Sequence, residues 1–473
     1  MSDYILTIGC EIHTELKTRS KMFSSAPAQI DQECVPNTLV NEIDLGLPGT
    51  LPAPNEHGVV LAIKLAKALK MEIDPNLIFD RKNYFYRDLP KGYQITQQYF
   101  PIGKNGSLAI DNGQVIAIER IHIEEDTCKQ TKEGDVIKLD YNRAGVPLIE
   151  IVSKPVIHSK NDCIKYLEKL RAILTHLDIS DGKMENGSLR VDLNISVSNN
   201  EHLGTKVEIK NINSFNNVGQ AIDYEFQRQV ALLTKNEKVD QATRRWDDVT
   251  KTTIFMRAKA DAIGYRYFTE PNIININIQK LIDRTQLDEK TTPDHIRETL
   301  LAQKINRDLV DQLVTNHELY RIYDYVNKAV NDPALTVTWI VIELVAKLRA
   351  NNVKIENVDP ATLDHLISLI KLIKQQRING KQAKVIFEKV YNEKVDPLQI
   401  VETLNVQQIS DDNHLKTILE KLIADNQTVI KDYPTRPERV EKFLLGGLMK
   451  ETKGQANPVL AKKILDELLK GQK

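Results

Sequence analysis

The spacing of apolar and polar residues divides the chain into two parts of different architecture. Up to Gly264, short segments alternate apolar and polar residues between Gly, Pro and Asn, which is typical of strands joined by turns. Fifteen of the 20 glycines lie at or before that position. Beyond it, apolar residues recur every three or four positions, as in 296–314 and 363–373, which predicts helices.

Two segments of the first part also have helical spacing, at 163–177 and 221–233. Helices that interrupt strands favour an α+β fold over a pure barrel. The prediction is an N-terminal, mostly antiparallel sheet cradle with helices (residues 1–292), an all-helical domain (293–405) and a small helical tail (406–473). In the tail, Thr435 and Glu438 predict a capping box, and Asn457-Pro458 predicts the start of a last helix.

Charge separates the tail from the rest of the chain. The 473 residues carry 64 Lys and Arg against 65 Asp and Glu, so any nucleic-acid contact must be a local patch. Residues 428–473 hold ten basic and six acidic residues, a local excess that predicts contact with a phosphate backbone. A solvated, lysine-rich helix surface is the alternative interpretation.

Cysteines and hydropathy bear on the compartment. Cys10, Cys34, Cys128 and Cys163 are far apart in sequence and form no C-x-x-C, which argues against a disulfide framework and a thiolate zinc site. A reducing, cytoplasmic location is expected. The N-terminus lacks the pattern of a signal peptide, and no apolar run approaches the ~20 residues of a membrane span, so no membrane contact is expected.

Candidate chemistry comes from carboxylates within alternating segments. As a strand, Glu11, His13 and Glu15 share one face. Related segments lie at 121–126, 148–152, 190–196 and 206–211. Together they predict an oxygen-rich site for Mg²⁺ and a nucleoside triphosphate. For any single segment, a half-exposed sheet with solvated charges is the more common explanation.

Glu150 is the most informative single residue, because a carboxylate inside an apolar strand is costly to bury without a cation or a donor. The chain has no Walker, Rossmann or kinase signature and no G-x-S-x-G elbow. An enzyme built this way is expected to transfer phosphoryl groups rather than to hydrolyse acyl bonds.

Residues 80–94 interleave four basic with four aromatic side chains. Stacking faces beside cations suit an unpaired nucleotide end, and Lys82, Tyr84 and Tyr86 are the predicted contacts. The alternative is that these rings pack on the core with their hydroxyls bonded.

Several long motifs of the chain resemble the B subunit of the tRNA-dependent amidotransferases (the GatB family), over nearly the full length. The motifs are G-x-E-I-H-T-E-L-K-T at 9–18, L-G-L-P-G at 45–49, D-R-K-N-Y-F-Y at 80–86, H-I-E-E-D at 122–126, D-Y-N-R-A-G-V-P-L-I-E-I at 140–151, Y-R-Y-F at 265–268 and F-L-L-G-G-L-M-K-E-T-K-G-Q-A-N-P at 443–458.

The resemblance implies a reaction, cofactors and partners. The expected role is phosphorylation of the side-chain carboxylate of misacylated Glu-tRNA(Gln) or Asp-tRNA(Asn), with ATP and Mg²⁺. Ammonia from a separate amidase, the A subunit, then forms the amide, and a small C subunit completes a heterotrimer. Residues 1–292 are the expected kinase-like catalytic domain. The rival hypothesis is a non-catalytic, tRNA-binding scaffold.

Site residues carry over position by position. The expected catalytic set is Glu11, His13, Glu124, Glu125, Glu150, Asp192 and Glu208. All of these except Glu124 are expected to ligate metal, although alternation places Glu124 and Glu125 on opposite faces and leaves their roles open. Arg190, Asn194 and Lys210 are the expected nucleotide contacts, and the expected tRNA contacts in the tail are Lys450, Lys453, Lys462 and Lys463.

One departure from the family concerns zinc. The positions that carry paired cysteines in many members correspond here to 23–26 and 41–44, which contain none. No structural zinc is expected, and loop packing should replace it. The sequence leaves open the choice between tRNA(Gln) and tRNA(Asn).

Overall fold

The computed structural model of the protein describes residues 4–30, 33–258, 264–404, 411–452 and 455–470. The chain divides into two compact units, Met1–Ile296 and Arg297–Lys473. This division falls inside the helix Pro293–Ala302, so the boundary expected at 292/293 lies at the start of that helix.

The first unit is built around one large sheet. The strands are β1 Ile5–Glu15, β2 Glu72–Ile73, β3 Asn76–Leu77, β4 Asp80–Asn83, β5 Tyr93–Thr96, β6 Gly103–Ala109, β7 Val115–Glu125, β8 Lys129–Glu133, β9 Val136–Asp140, β10 Pro147–Ser153, β11 Leu189–Ser198, β12 Val207–Ile212, β13 Ala242–Asp247, β14 Thr252–Ala258, β15 Phe268–Thr269 and β16 Ile276–Asn277. Nine strands form the order β14-β13-β12-β11-β1-β10-β7-β6-β2, and among the described residues only the β12/β13 pair is parallel. Smaller sheets are β15-β4-β5, β16-β3 and β8-β9.

Alternation along β1 separates the two faces of this sheet. Ile8, Cys10 and Ile12 are at most 1% exposed and belong to the main hydrophobic core. The intervening Glu11 and His13 are only partly buried and lie on the opposite face. The sheet therefore presents one apolar face to the core and one polar face, which carries the site.

Helices cover the apolar face. They are α1 Glu56–Ala68, α2 Lys160–His176, α3 Phe215–Thr234 and α4 Gln279–Arg284. Side chains of Asn55, Ser159 and Ser214 cap the first three by accepting from backbone N–H groups of the first turn. The helices predicted at 163–177 and 221–233 are thus confirmed as α2 and α3.

A buried ion pair holds together the loops near 23–26 and 41–44, where no structural zinc was expected. Lys21 Nζ lies 2.9 Å from Asp44 Oδ2, with side-chain exposures of 0% and 3%. Asp44 also accepts hydrogen bonds from Ser24 Oγ at 2.8 Å and from the Asn41 amide at 2.9 Å. Polar contacts between 21–24 and 41–44 therefore hold the two loops together.

Beyond residue 292 the described chain is helical. The helices are α5 Pro293–Ala302, α6 Arg307–Thr315, α7 His317–Val330, α8 Pro333–Val337, α9 Val345–Ala350, α10 Pro360–Lys374, α11 Gly380–Glu393, α12 Pro397–Leu404, α13 Asp412–Asp425, α14 Gln427–Ile430, α15 Pro437–Glu451 and α16 Pro458–Leu469. A π-helical segment, Thr338–Leu344, joins α8 to α9. The α+β class is confirmed.

The helices α13 to α16 share a hydrophobic cluster of their own, centred on Leu419, Leu444 and Leu465, each 0% exposed. The cap predicted at Asn457 is confirmed, since its Oδ1 accepts from the Leu460 amide at 3.1 Å. The capping box predicted at Thr435 is wrong. Pro437 occupies the first helical turn, so Arg436 becomes the N-cap, and the Thr435 hydroxyl donates to the Asp432 carbonyl.

Membrane insertion through a helix has no support in the described residues, because none of their helices combines the length and apolar character that a crossing requires.

Candidate active site

The strand register gathers four polar side chains into a row across the polar face. β1 lies between β10 and β11, so His13 is directly opposite Glu150 on one side and Arg190 on the other. Glu150 is in turn opposite His122 of β7. Direct cross-strand neighbours are close enough for their side chains to interact. Strands that are distant in sequence thus form one site.

At the centre of this row is a cluster of histidine and carboxylates. His13 Nε2 lies 3.3 Å from Glu150 Oε2 and 3.7 Å from Glu124 Oε1. Ligand atoms of His13, Glu124 and Glu150 all lie within 4.8 Å of one another, and no other group of this kind occurs in the described part of the chain. The two carboxylates are only 5% and 13% exposed. This trio is called the His-Glu cluster below.

His122 belongs to the same neighbourhood, although the residues expected from the sequence left it out. Its Nε2 lies 3.1 Å from Glu150 Oε2 and 3.5 Å from Glu124 Oε2, while its Nδ1 is buried without a hydrogen-bond partner. The signal was present in the sequence, because alternation already placed His122 and Glu124 on one face.

The electrostatics of the cluster are those of imidazolium groups paired with carboxylates. Burial opposes protonation of His122, but Glu150 and Glu124 outweigh it and raise the pKa of His122 to about 9. The same balance raises the pKa of His13. Burial acts against ionisation of Glu150, yet the two histidines hold its pKa well below the usual range. A divalent cation has to displace protons from such a site.

A second group of predicted residues lies along β1, β11 and β12. Lys210 Nζ is hydrogen-bonded to Asp192 and lies 3.0 Å from Glu208 Oε1. Nearby, Asn194 Nδ2 donates to Glu11 Oε1 at 2.8 Å. Because Glu11 is directly opposite Asp192 in the β1/β11 register, this group continues the polar face beside the His-Glu cluster.

Glu125 does not join either group. Its carboxylate accepts from the Lys91 ammonium and, at 2.9 Å, from the Ile95 amide of β5. The pleat turns the Glu125 side chain away from that of Glu124, although β5 contacts both, since Glu124 Oε2 accepts from Thr96 Oγ1 at 3.3 Å. Arg190 lies at the far end of the row, with Nη2 2.7 Å from Asp126 Oδ2.

An aromatic rim lies beside the cluster. Lys82 Nζ sits 4.7 Å from the centre of the Tyr265 ring, and Tyr84 meets Tyr265 edge-to-face at 5.7 Å. Burial opposes the charge of Lys82, but Glu124, the two tyrosines Tyr267 and Tyr265, and Glu150 together outweigh burial and raise the pKa of Lys82. Lys82 therefore directs its charge toward the carboxylates. Tyr86 is 51% exposed.

The predicted tail contacts differ from one another. Lys450 and Lys463 are exposed. Lys462 is engaged in ion pairs, 2.5 Å from Glu441 Oε2 and 2.9 Å from Asp466 Oδ1, so its charge is largely neutralised. Lys453 lies outside the described residues.

The fold and the site together define a catalytic domain in which a polar sheet face assembles carboxylates and histidines. The family model described as "GatB/GatE catalytic domain" matches residues 6–283, and the one described as "GatB domain" matches residues 321–469. The chain belongs to the GatB family, the B subunits of the aspartyl/glutamyl-tRNA amidotransferases, as the sequence motifs predicted.

Similar proteins cover the whole chain. The B subunit of the aspartyl/glutamyl-tRNA(Asn/Gln) amidotransferase of Ureaplasma parvum serovar 3 is 45% identical, over 99% of this chain and 100% of its own. Proteins of the same name are 45% identical in Malacoplasma penetrans and 43% identical in Mycoplasma pneumoniae, each over 99% of this chain and 98% of its own.

Proposed function

We propose that this protein activates the side-chain carboxylate of misacylated Glu-tRNA(Gln) or Asp-tRNA(Asn) by ATP-dependent phosphorylation, after which ammonia forms the amide. The observation that carries this proposal is the His-Glu cluster. Its three side chains come from three strands, and they bring potential metal-ligand atoms together at the centre of the polar sheet face. Family membership supports the same reaction class.

The donor set fits a divalent cation. Glu124 and Glu150 offer the carboxylate oxygens that Mg²⁺ prefers, and His13 adds an imidazole nitrogen that Mn²⁺ also accepts. The buried, unpartnered Nδ1 of His122 marks a polar site whose hydrogen bonding is incomplete. When bound, the cation would neutralise charge on the phosphates of ATP.

The reaction needs no nucleophile from the protein. A carboxylate oxygen of the substrate forms a bond to the γ-phosphorus of ATP, and the bond from that phosphorus to the bridging oxygen breaks to release ADP. Ammonia then attacks the acyl carbon, the bond from that carbon to the phosphate oxygen breaks, and one proton of the nitrogen passes to the leaving phosphate, which gives the amide and HPO₄²⁻. The protein contributes orientation and positive charge, which is the main requirement of phosphoryl transfer.

The residues around the cluster are suited to distinct parts of this task. Lys82 supplies a cation beside Glu124 and Glu150. We assign nucleotide contacts to Arg190, Asn194 and Lys210, and orientation of the polar groups beside them to Glu11, Asp192 and Glu208. Glu125, paired with Lys91, is assigned to the lining of the ammonia path rather than to metal.

The RNA is expected to use the aromatic rim and the tail. Tyr84, beside Lys82, and Tyr86, beside Arg87, provide stacking faces for unpaired nucleotides at the aminoacylated end. Lys450 and Lys463 are the tail cations available to backbone phosphates. We further propose that an amidase partner, the A subunit, supplies the ammonia and that a small C subunit completes a cytoplasmic heterotrimer.

The rival hypothesis is a tRNA-binding scaffold without catalytic function. It requires the sheet carboxylates to be solvated surface decoration. The side chain of Glu124 is only 5% exposed and that of Glu150 only 13% exposed, and both lie beside two histidines. Solvated surface charges have no need of such burial, so the burial favours the catalytic proposal.

The test is amide formation on misacylated tRNA by the complex with its amidase and small partners, in the presence of ATP and Mg²⁺. Glu150→Gln should reduce the rate by about 10²-fold or more, because phosphoryl transfer depends on positioned charge. Glu119→Gln changes a carboxylate on the neighbouring strand β7 whose side chain is 48% exposed, and this variant should leave the rate unchanged. Equal rates for wild type and Glu150→Gln would contradict the site assignment.

A further inference from the structure

A cavity of about 720 Å³ opens near the end of β1, outside the catalytic groups, and charged and polar side chains contribute to its lining. Its lining includes Lys17, Arg19, Ser20, Asn55, His57 and Asp178. Three of these side chains are basic or can become cationic, and one is acidic. The cavity therefore has the charge of a site for an anion.

The positive charge of the cavity is only partly neutralised within the protein. Lys17 Nζ lies 2.6 Å from Asp178 Oδ1 at the end of α2, and this pair is solvent-exposed. Arg19 and His57 are exposed, and neither has an ion-pair partner in the part of the chain that the structure describes. An unpaired guanidinium is the side chain best suited to bidentate contact with a phosphate.

The walls of the cavity are held in place by hydrogen bonds. Asn55 Nδ2 donates to Ser20 Oγ at 2.9 Å and to the Ser20 carbonyl at 3.0 Å, which ties the chain after β1 to the start of α1. The Arg19 carbonyl accepts from the Ala28 amide at 3.0 Å, and the Lys17 amide donates to the Ile179 carbonyl at 2.9 Å. A fixed backbone lowers the entropic cost of binding a ligand.

The first turn of α1 is already partly capped. Asn55 Oδ1 already accepts from the Gly58 amide at 3.1 Å, so one of the free N–H groups of the first turn is satisfied. The positive charge of the cavity comes from the side chains of Arg19, Lys17 and His57.

The position of the cavity relates it to the catalytic groups. Lys17 is four residues beyond His13 in the same chain segment, so their Cα atoms are at most ~14 Å apart. Each nucleotide adds about 3.4 Å of rise to a helical strand and more to an extended, unpaired strand, so about four nucleotides or fewer span that distance.

We propose that the Lys17/Arg19/His57 cavity binds a backbone phosphate of the RNA substrate near its aminoacylated end. This inference rests on the proposed function, since it requires that the RNA end reaches the His-Glu cluster. It adds a phosphate contact on the sheet unit to the contacts expected from the tail. The chemical class of the ligand is a phosphodiester rather than a free nucleotide.

The experiment measures RNA affinity and nucleotide affinity separately, with the full-length chain in its complex. The probes are an unacylated tRNA(Gln) transcript, titrated at several salt concentrations, and Mg²⁺-ATP, titrated by calorimetry. The double variant Arg19→Gln/His57→Gln should weaken RNA binding by about tenfold and lower the salt slope by roughly 0.7 to 1. Mg²⁺-ATP affinity should not change.

Two further variants test whether misfolding of the loop or a general loss of positive charge explains the result. Arg19→Lys keeps the charge and should retain most of the RNA affinity, whereas a merely misfolded loop would not be rescued. Lys132→Gln removes an exposed cation from the β8-β9 hairpin and should have no effect on either ligand.

The outcomes are distinguishable. Unchanged RNA affinity and salt slope in the double variant would overturn the cavity proposal. Loss of Mg²⁺-ATP affinity with unchanged RNA affinity would overturn it as well, and would identify the ligand as nucleotide phosphate. Failure of the wild-type complex to bind Mg²⁺-ATP would instead refute the proposed function, whatever the RNA titration gives.

Discussion

At the scale of single residues, His122 is the side chain that most changes the interpretation of the site. It contacts both carboxylates of the His-Glu cluster, at 3.1 Å from Glu150 and 3.5 Å from Glu124. A residue in that position orients the ligating groups even if it never touches the ligand. Its role is therefore that of a positioning residue.

This role leads to a prediction for His122→Asn. Loss of the imidazole should weaken Mg²⁺-ATP binding by roughly 10- to 100-fold, as is typical when a group that orients metal ligands is removed. Calorimetric titration of the variant measures the change. Excess Mn²⁺ should restore part of the activity if the defect lies in ligand orientation, because Mn²⁺ binds mixed nitrogen and oxygen ligands more tightly. Unaltered Mg²⁺-ATP affinity would refute the positioning role.

The sequence predicted many of these residues but not their partners. Alternation alone put Glu11 and His13 on one face of a strand and separated Glu124 from Glu125. It could not show that Glu125 would pair with Lys91, because side-chain partners 34 residues apart are chosen by packing of β5 on β7. For the same reason, the sequence predicted Lys82 as an RNA contact but could not show that Lys82 lies near Glu124.

At the scale of elements, the loops at 21–24 and 41–44 depend on the Lys21–Asp44 ion pair. Burial lowers the pKa of Lys21 from its ordinary value of 10.5, and Asp44 opposes that effect. Between the lowered pKa of Lys21 in the folded chain and 10.5, Lys21 binds more protons in the unfolded chain than in the folded chain. The free energy of unfolding therefore rises with pH in this range.

We expect Asp44→Asn to destabilise the first unit by about 3–5 kcal/mol, because it leaves a buried ammonium without its counter-charge. The double variant Lys21→Met/Asp44→Asn should recover most of that loss. Urea denaturation measures both. Asp324→Asn breaks an exposed pair with Lys328 and should cost about 0–1 kcal/mol, which makes it the matched control.

A result in which Asp44→Asn and Asp324→Asn have equal effects would show that the ion pair does not hold the loops. The sequence indicated that no cysteine pair was available there, but not what took its place. Lys21 and Asp44 are separated by 23 positions and no local pattern links them.

The order of the strands in the sheet is another property that the periodicity of the sequence does not predict. Alternation predicted the strands and helical spacing predicted α2 and α3, since both depend on local pattern. The position of β1 between β10 and β11 depends on pairing with segments far along the chain, such as Glu11 with Asp192. The pairing of β1 with β10 places His13 beside Glu150, and the pairing of β10 with β7 adds Glu124, so these two pairings create the cluster.

At the scale of the whole molecule, the two compact units separate the catalytic groups from the helical tail. The His-Glu cluster and the proposed nucleotide contacts all lie in the unit Met1–Ile296. The helices α13 to α16 have a core of their own. Nucleotide binding and tail-dependent RNA binding should therefore be separable by truncation.

A chain that ends at Leu404 removes those four helices. It should bind Mg²⁺-ATP as the full chain does, while its affinity for tRNA should fall by about tenfold and its salt slope should decrease, because the exposed Lys450 and Lys463 are lost. The full-length double variant Lys450→Gln/Lys463→Gln is the matched control, and it should reproduce the smaller salt slope without any change in the core. Loss of Mg²⁺-ATP binding on truncation would mean that the tail supports the catalytic unit, and unchanged RNA affinity would mean that the residues up to Leu404 hold the substrate without the tail.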